Sequence, residues 1–469
     1  MLKRFTITNA IPYVNAHPHI GFALELIQSD VLARYHRLGG EEVRYITGTD
    51  ENALKNVQAS EKAARSVKDF VDEHALVFKK LNVTLNISAD DFIRTTEERH
   101  IKGVQKLWQA CEATGDIYKK KYQGLYCVGC EQFYMPKELV DGLCPEHKTK
   151  PELIEEENYF FKLSKYQDWL LSIIESGELK ITPASRASEL TEFIKSGLED
   201  LSISRSNARA KNWGISVPGD DSQKIYVWMD ALTNYITAIG YGTDEALFKT
   251  WWQESYRAHL IGKGISRFHA IYWPAFLKSA GLEIPHEIFI HGYVTVEGEK
   301  ISKSLGNVID PFEVVSKYGI DAVRYFLLRE IPTTGDGDFS IAKLEARYTG
   351  DLANNLGNLV SRVAKLSETL TSNEIDPIVT EHLGKTTAAY HEEIKAFKLH
   401  ETLARLWELY TFANGYINDK APWKTGDALA VASIAHLLEE SADLLEPFLP
   451  ETANKIRSGT PGSLFPKLS

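Results

Sequence analysis

Cysteine is scarce in this sequence, and long apolar runs are missing. Four cysteines among 469 residues are too few for a disulfide scaffold. No apolar run approaches the roughly 18 residues needed to cross a bilayer. Thr6, Thr8 and Asn9 interrupt the stretch that would form the apolar part of a signal peptide. We therefore expect a cytoplasmic protein that does not enter a membrane.

The sequence also lacks the positive charge with which proteins bind nucleic acids unselectively. Its formal net charge is −11, whereas such binding is usually carried by a basic domain. Any contact with RNA is therefore expected to be local and directed.

The N-terminal region has the periodicity of a βαβ unit. Residues 5–11 alternate like a strand, residues 20–37 repeat their apolar positions like a helix, and residues 43–47 predict a second strand. A helical pattern continues through residues 55–80. This order predicts an α/β fold with a doubly wound, Rossmann-type parallel sheet, which binds ligands at the carboxyl ends of its strands.

A change of pattern at residue 115 indicates an insertion into this α/β domain. Residues 115–213 contain short strands, turns and three of the four cysteines. Short apolar segments at 224–228, 259–261 and 289–293 then predict the second half of the sheet.

The C-terminal region changes character again. Amphipathic patterns at 352–370, 382–419 and 428–446 predict an α-helical bundle. The expected domains are residues 1–114 and 214–343 for the two halves of the α/β domain, 115–213 for the insertion, and 344–469 for the bundle.

The insertion carries a metal-binding pattern. Cys127 and Cys130 form one Cys-x2-Cys pair, and Cys144 and His147 form a Cys-x2-His pair after thirteen intervening residues. Three thiolates and one imidazole make a closed tetrahedral set that suits structural Zn²⁺ and leaves no position for a catalytic water. A disulfide is the less favoured alternative, because cytosolic thiols stay reduced.

A histidine-rich turn precedes the first predicted helix. It contains His17, His19 and Gly21, and it follows a strand. The N–H groups and positive dipole end of a helix N-terminus bind phosphate, so we expect a triphosphate there. A solvated loop or a weak His-x-His metal pair remains open from these residues alone.

A second motif, at residues 300–307, contains Lys300, Ser302 and Lys303 on a predicted mobile loop after Gly298. Two lysines beside small hydroxyl residues suit a polyphosphate whose charge moves during nucleotidyl transfer. A run of this kind is usually just a solvated surface, but its combination with the histidine-rich turn is far more specific.

These two motifs resemble the HIGH and KMSKS signatures of the class I aminoacyl-tRNA synthetases. Four further segments resemble the methionyl-tRNA synthetase family: IPYVN at 11–15, TGTDE at 47–51, YVWMDAL at 226–232 and HGYVT at 291–295. They follow the family order across essentially the whole chain. The resemblance implies activation of L-methionine by ATP with Mg²⁺, followed by transfer of the methionyl group to tRNA(Met).

The resemblance also implies roles for individual residues. It assigns ATP binding to His19, Gly21, Lys300, Ser302 and Lys303, with catalytic roles for His19, Lys300 and Lys303. It assigns methionine binding to Ala10, Ile11, Tyr13, Asp50, Trp228, Leu232, Tyr235, Ile265 and His269, with Asp50 on the ammonium group. A thioether has almost no hydrogen-bonding group, so shape and sulfur–aromatic contacts of about 0.3–1.5 kcal/mol must select it. The spacing of Trp228 and Tyr235 alone would equally permit core packing on one helical face.

The predicted bundle contains a second set of residues that the resemblance singles out. Asn358 and Arg362 lie one helical turn apart, and Pro422 precedes Trp423. These positions match the residues with which the family reads the anticodon, where an exposed Trp stacks on an unpaired base. Without the resemblance, a Trp in a helical bundle is more often part of the core.

Two positions depart from the family pattern. Phe22 replaces the last histidine of the HIGH signature, and Gly264 replaces an aspartate. We hypothesise that His17 partly replaces the missing phosphate donor and so acts in catalysis; the alternative is that His17 faces solvent.

These departures leave open a tRNA-binding or regulatory paralogue without ligase activity. Another class I synthetase is a less favoured alternative, because an insertion of about 100 residues is too short for the large editing domains of the isoleucine, leucine and valine enzymes. The chain ends after Leu464-Phe465-Pro466, where the family's helical domain ends, so we expect a monomer.

Overall fold

The structure is a computed structural model that describes residues 3–301, 307–459 and 464–468. Its described residues form two compact units. The first comprises Met1–Pro18, Glu41–Asn82 and Ala89–Ile290, and the second comprises His19–Gly40, Val83–Ser88 and His291–Ser469.

Strands are concentrated in the first two thirds of the chain. In the described residues they are β1 (Arg4–Asn9), β2 (Glu42–Thr49), β3 (Asp91–Arg94), β4 (Ile117–Cys127), β5 (Gln132–Tyr134), β6 (Glu152–Phe161), β7 (Lys180–Thr182), β8 (Leu201–Ser202), β9 (Ser204–Ser206), β10 (Ser216–Val217), β11 (Asp220–Ile225), β12 (Tyr256–Gly262), β13 (Glu287–His291), β14 (Val294–Val296), β15 (Glu299–Lys300) and β16 (Gly337–Phe339).

Among the described residues, helices occur along the whole length and are nearly the only elements after residue 340. They are α1 (Ile20–Leu38), α2 (Leu54–Lys62), α3 (Val67–Thr84), α4 (Glu98–Ala113), α5 (Gln167–Glu175), α6 (Ala184–Lys195), α7 (Val227–Thr237), α8 (Glu245–Phe248), α9 (Trp273–Ser279), α10 (Pro311–Tyr318), α11 (Ile320–Glu330), α12 (Ile341–Arg347), α13 (Asn358–Ser367), α14 (Pro377–Lys395), α15 (Leu399–Lys420), α16 (Pro422–Thr425), α17 (Ala428–Leu445) and α18 (Pro450–Arg457). Of the described helices, none is both long and apolar enough to span a bilayer.

The main sheet has six strands in the order β3-β2-β1-β12-β13-β7. β1 pairs in parallel with β2 on one side and with β12 on the other. The predicted doubly wound parallel sheet is therefore confirmed, with the switch in strand order between β1 and β12. Such a switch point opens a crevice at the carboxyl ends of the strands, and Ala10 lies there, with its N–H bonded to the carbonyl of Leu260 at 3.2 Å.

The prediction for residues 224–228 was wrong. β11 ends at Ile225, and it belongs to a small antiparallel sheet of order β10-β11-β9 instead of the main sheet. Tyr226 then caps α7, whose residues are almost all buried. A short, mostly apolar segment has no period that separates a strand from a buried helix.

The insertion supplies an edge strand to the main sheet that its sequence did not indicate. β7 pairs in parallel with β13, but three residues are too few to display a strand period. The rest of the insertion is built on an antiparallel sheet of order β5-β4-β6-β8. The cysteine cluster begins at the end of β4.

The second unit contains the predicted helical bundle. The pattern at 382–419, which predicted one helix, is divided between α14 and α15 by a turn at Phe397, whose φ is +57°. Phe397 is completely buried, so the turn leaves the apolar periodicity uninterrupted.

A buried ion pair joins several segments within the second unit. Asp30 of α1 lies 2.8 Å from the guanidinium of Arg324 in α11, and both are fully buried. Arg324 also donates to the carbonyls of Pro447 and Phe448, near the end of the bundle. Removing one partner of such a pair would leave an uncompensated buried charge.

Candidate active site and metal centre

A buried carboxylate lies at the carboxyl end of β2. Asp50 is 2% exposed. Its backbone pairs with that of Tyr13 in a short parallel β-bridge, in which the N–H of Asp50 donates to the carbonyl of Pro12 at 2.9 Å. Burial, with the neighbouring charge of Asp230 next in size, raises the pKa of Asp50 well above its usual range. Within the described residues the buried hydroxyl of Tyr13 has no hydrogen-bond partner. The site thus offers an acceptor for a cation and a polar group available to a ligand.

An aromatic wall stands on α7 and on the π-helical turn Phe268–Tyr272. The rings of Trp228 and Phe268 are stacked at 3.7 Å with an interplanar angle of 5°. π-helical turns are rare and occur frequently at functional sites. The turn presents Phe268 to Trp228 and directs His269 towards α7.

Tyr235 and His269 form a hydrogen-bonded pair next to this aromatic wall. The Nδ1 of His269 lies 2.9 Å from the carbonyl of Ile265, and its Nε2 lies 2.7 Å from the hydroxyl of Tyr235. A carbonyl only accepts, so Nδ1 carries the proton and the Tyr235 hydroxyl donates to Nε2. Burial lowers the pKa of His269 to about 4, which keeps this neutral tautomer at physiological pH.

Most of the residues predicted for methionine binding lie in one apolar cluster. Its members among them are Ala10, Tyr13, Trp228, Leu232, Tyr235 and Ile265. His269 joins through its bonds to Ile265 and Tyr235, and Asp50 joins through Tyr13. Ile11 is half-buried beside Ala10.

The four predicted metal ligands also lie together. The ligand atoms of Cys127, Cys130, Cys144 and His147 are all within 4.8 Å of one another. The Sγ of Cys130 is 3.4 Å from that of Cys144 and 3.2 Å from the Nδ1 of His147. Tetrahedral bonds of about 2.3 Å to zinc would separate two sulfur ligands by about 3.8 Å. The donor set and its spacing therefore fit a zinc ion.

The cysteine cluster contacts the aromatic wall directly. The indole Nε1 of Trp228 donates to the main-chain carbonyl of Cys130 at 3.2 Å. The next residue, Glu131, is buried with a φ of +56° and accepts from the hydroxyl of Tyr126 at 2.7 Å. One turn of the metal-binding loop therefore packs against the predicted amino-acid pocket.

The last residues of the histidine-rich turn, from His19 onwards, form the start of α1 in the second unit. His19 is its N-cap, and the Nδ1 of His19 accepts from the N–H of Gly21 at 3.1 Å. Burial lowers the pKa of His19; in this neutral tautomer Nε2 carries the proton and offers it to an anion. A Cβ at Gly21 would lie 3.0 Å from the His19 ring, so the close approach of ring and backbone favours glycine there.

His17 and Phe22, the subjects of the compensation hypothesis, lie on opposite sides of His19 in sequence. His17 is exposed and belongs to the first unit, where its ring lies edge-on to that of His74 at 5.6 Å. Phe22 is the third residue of α1 and is half-buried.

The lysine motif is described only at its first residues. Lys300 lies in β15, paired with Thr295 of β14, so this residue is in a strand and not in the predicted loop. Ser302 and Lys303 lie outside the described residues. Gly298 has a φ of +78° in the turn before β15, a conformation that favours glycine.

The predicted anticodon residues lie together on the bundle. Asn358 is the exposed first residue of α13 and Arg362 lies one turn later. The guanidinium of Arg362 is 5.6 Å from the ring centre of Trp423 and donates to the amide oxygen of Asn418 at 2.7 Å. Trp423 is 47% exposed, and Pro422 occupies the first turn of α16. A large, accessible ring beside an oriented guanidinium is suited to an unpaired base.

Comparisons with known proteins agree with this geometry. The family model described as class I tRNA synthetases (M) matches residues 5–151 and 135–364. The chain is 42% identical to the methionine–tRNA ligase of Thermotoga maritima, over 97% of this chain and 74% of that protein. It is 43% identical to the methionine–tRNA ligase of Brucella suis, over 97% of this chain and 91% of that protein. The chain belongs to the class I methionyl-tRNA synthetase family.

Solved structures of methionyl-tRNA synthetases have the same fold as this chain. The Mycobacterium tuberculosis methionyl-tRNA synthetase in complex with methionyl-adenylate matches with a TM-score of 0.92 and 38% identity, over 97% of this chain and 93% of that one. The apo form of the same protein matches with a TM-score of 0.85 and 34% identity.

Several residues around the predicted methionine pocket of this methionyl-tRNA synthetase were not predicted from the sequence. Phe268, which covers Trp228, is adjacent to His269, but no spacing marks it. The buried His100 and Asp230 and the half-buried Asn52 form a polar chain beside Asp50. Asp230 lies inside the YVWMDAL segment, so that motif could have indicated it. No motif or spacing in the sequence marks His100.

Proposed function

We propose that this chain is a methionine–tRNA ligase, which activates L-methionine with ATP and transfers the methionyl group to tRNA(Met). The observation that carries the proposal is the buried Asp50 carboxylate beside the apolar, aromatic cluster around α7. Relatives that share more than 40% of its sequence are methionine–tRNA ligases, and structures of its homologue bind methionyl-adenylate.

Asp50 is suited to the ammonium group of methionine. A buried carboxylate without a cation is costly, and the raised pKa of Asp50 expresses that cost. An ammonium ion beside it would favour the ionised carboxylate and form a charge-assisted hydrogen bond. The Tyr13 hydroxyl, which has no hydrogen-bond partner in the described part of the chain, and the backbone at Ala10 and Ile11 would fix the rest of the amino-acid group.

The methionine side chain would lie among Trp228, Leu232, Tyr235, Ile265 and His269. A thioether gains from aromatic contacts and from close packing. The tautomer of His269 matters here, because the Tyr235 hydroxyl is committed to its Nε2. The pocket therefore presents few polar groups that would favour a hydroxyl-bearing competitor.

In the first reaction the methionine carboxylate attacks the α-phosphate of ATP, and pyrophosphate leaves with Mg²⁺. His19 would donate from Nε2 to the phosphates, and Gly21 would contribute its place at the helix N-terminus. Lys300, Ser302 and Lys303 would stabilise charge on the leaving phosphates. The second reaction transfers the methionyl group from AMP to the terminal ribose of tRNA.

Zn²⁺ is the metal that best suits Cys127, Cys130, Cys144 and His147. With four protein ligands it would hold the loop of the insertion together and would take no part in the chemistry. For recognition of tRNA(Met), Asn358 and Arg362 would read base edges while Trp423, next to Pro422, stacks on an anticodon base.

We assign residues 1–114 and 214–343 to the catalytic domain, 115–213 to its connective insertion and 344–469 to the anticodon-binding domain. A monomer in the cytosol, where tRNA and ATP are available, accords with this role.

Methionine-dependent exchange between ATP and pyrophosphate tests the activation reaction. The purified protein should catalyse exchange with L-methionine and far less with L-leucine, L-isoleucine or L-valine. It should then charge tRNA(Met) but not a tRNA with another anticodon. Exchange that prefers another amino acid, or none at all, would contradict the proposal.

A further inference from the structure

A chain of hydrogen bonds runs from the buried Asp50, through the half-buried Asn52, into the core of the first unit. The N–H of Asn52 donates to Asp50 Oδ1 at 3.2 Å, and its side-chain amide donates to Asp230 Oδ2 at 2.8 Å. The same amide also donates to the carbonyl of Thr95 at 3.1 Å. Asn52 therefore joins the turn that carries Asp50 to α7.

The chain continues from Asp230 into α4. The Nε2 of His100 lies 2.7 Å from Asp230 Oδ1, and its Nδ1 lies 2.8 Å from the hydroxyl of Thr237. A carboxylate oxygen accepts, so Nε2 carries a proton. Both oxygens of Asp230 are thereby occupied, and His100 and Asp230 are completely buried. Asp230 has no freedom to turn away from Asn52 while His100 holds it.

We propose that His100 and Asp230 are positioning residues for the substrate ammonium group, which act on Asp50 through Asn52. The inference rests on the proposed function, in which Asp50 binds that ammonium group. Neither residue would touch methionine. Their effect is to fix the Asp50 turn in the orientation that an incoming cation requires, before the cation arrives.

Electrostatics explain why such support is needed. Asp50 lies near the carboxylates of Asp230, Glu131 and Glu51, so an unsupported Asp50 would be pushed away from its neighbours. Glu51 is held by a two-bonded contact with Arg94, at 2.6 and 2.9 Å. Asp230 is held by His100 instead. Because Glu51 and Asp230 are held by these partners, Asp50 is the carboxylate that the ammonium group can reach.

The alternative is that His100 and Asp230 merely hold α4 against α7. Two ligands separate these roles. L-methioninol retains the ammonium group of methionine but lacks its carboxylate, and 4-(methylthio)butanoate retains the carboxylate but lacks the ammonium group. A loss of packing would weaken both ligands, whereas a loss of ammonium positioning would weaken only L-methioninol.

The experiment measures inhibition of ATP–pyrophosphate exchange by each compound. In His100→Leu, the inhibition constant of L-methioninol should rise by about tenfold or more, while that of 4-(methylthio)butanoate changes by less than about twofold. His100→Gln, whose amide reproduces the Nε2 donor, should recover most of the loss. An equal effect on both compounds, or no effect on either, would overturn the positioning role.

Two further variants keep the test decisive. Asn52→Ala removes the bridge without disturbing the α4–α7 packing and should weaken L-methioninol selectively, as His100→Leu does. Thr233→Val is the matched control: Thr233 is buried on α7, and its hydroxyl donates only to the Met229 carbonyl among the contacts described. It should leave both inhibition constants unchanged. If the unaltered protein shows no methionine-dependent exchange, the proposed function falls and this inference with it; exchange with unselective variants overturns only the inference.

Discussion

The indole N–H of Trp228 donates to the main-chain carbonyl of Cys130 at 3.2 Å. Trp228 forms the wall of the proposed methionine pocket, and Cys130 is one of the four residues that fit a zinc ion. The metal-binding loop and the pocket therefore share a hydrogen bond, although the two residues are 98 positions apart.

Removal of the metal should therefore weaken the binding of methionine in the proposed pocket. Without the ion, the Cys130 carbonyl loses its fixed position, because metal binding contributes to the folding of such loops. Cys144→Ser should reduce bound zinc, weaken methionine binding several-fold and alter tryptophan fluorescence. Trp228→Phe removes the shared hydrogen bond and should make methionine binding insensitive to chelation. Protein that binds methionine equally well with and without metal would contradict the coupling.

Acid should destabilise the protein through two histidines, the buried His269 and the half-buried His286. The pKa values of His269 and His286 are lowered to about 4 by burial, while in the unfolded chain a histidine titrates near 6.5. The unfolded state thus binds more protons between about pH 6.5 and 4, so stability falls as pH drops through that window. The midpoint of urea unfolding, measured across this range, checks the sign.

His286→Asn provides the specific control for this prediction. His286 lies outside the proposed pocket, and its Nδ1 accepts from the N–H of Arg257 at 3.1 Å, a bond that an asparagine oxygen can replace. The variant should lose less stability than the unaltered protein between pH 6.5 and 4. A pH dependence identical to that of the parent would show that His286 makes no contribution.

Substitution of Trp423 should affect aminoacylation of tRNA but not the activation of methionine. Trp423 is 47% exposed beside Arg362, so Trp423→Ala should remove base stacking of about 1–3 kcal/mol without disturbing the core. Aminoacylation of tRNA(Met) should fall, and methionine-dependent exchange should stay unchanged. An equal loss in both assays would identify Trp423 as a packing residue.

The sequence predicted what depends on local periodicity and on motifs. β1, α1 and β2 follow clear patterns, and the cysteine spacing marked four residues that do lie together. It could not predict what depends on long-range packing. The bond from Trp228 to Cys130 and that from His100 to Asp230 join segments about 100 residues or more apart, and nothing in either segment specifies its partner.

The compensation of Phe22 by His17 remains a prediction. His17 lies edge-on to His74, so it would have to leave that contact to reach a phosphate. A double-mutant cycle with His17→Ala and Phe22→His, read out as the rate of adenylate formation, measures any coupling. Compensation predicts that His17→Ala is damaging alone and much milder when Phe22→His is present. Additive effects would make His17 an ordinary loop residue.

In the proposed activation reaction, Asp50 binds the ammonium group of methionine in the pocket formed by α7. The most direct measurement is ATP–pyrophosphate exchange by the unaltered protein and by Asp50→Asn, across a range of methionine concentrations. The buried carboxylate should supply the main charge for the ammonium group, so Asp50→Asn should lower kcat/KM for methionine by about 10²-fold or more while leaving the KM for ATP nearly unchanged. An unchanged dependence on methionine would contradict the account.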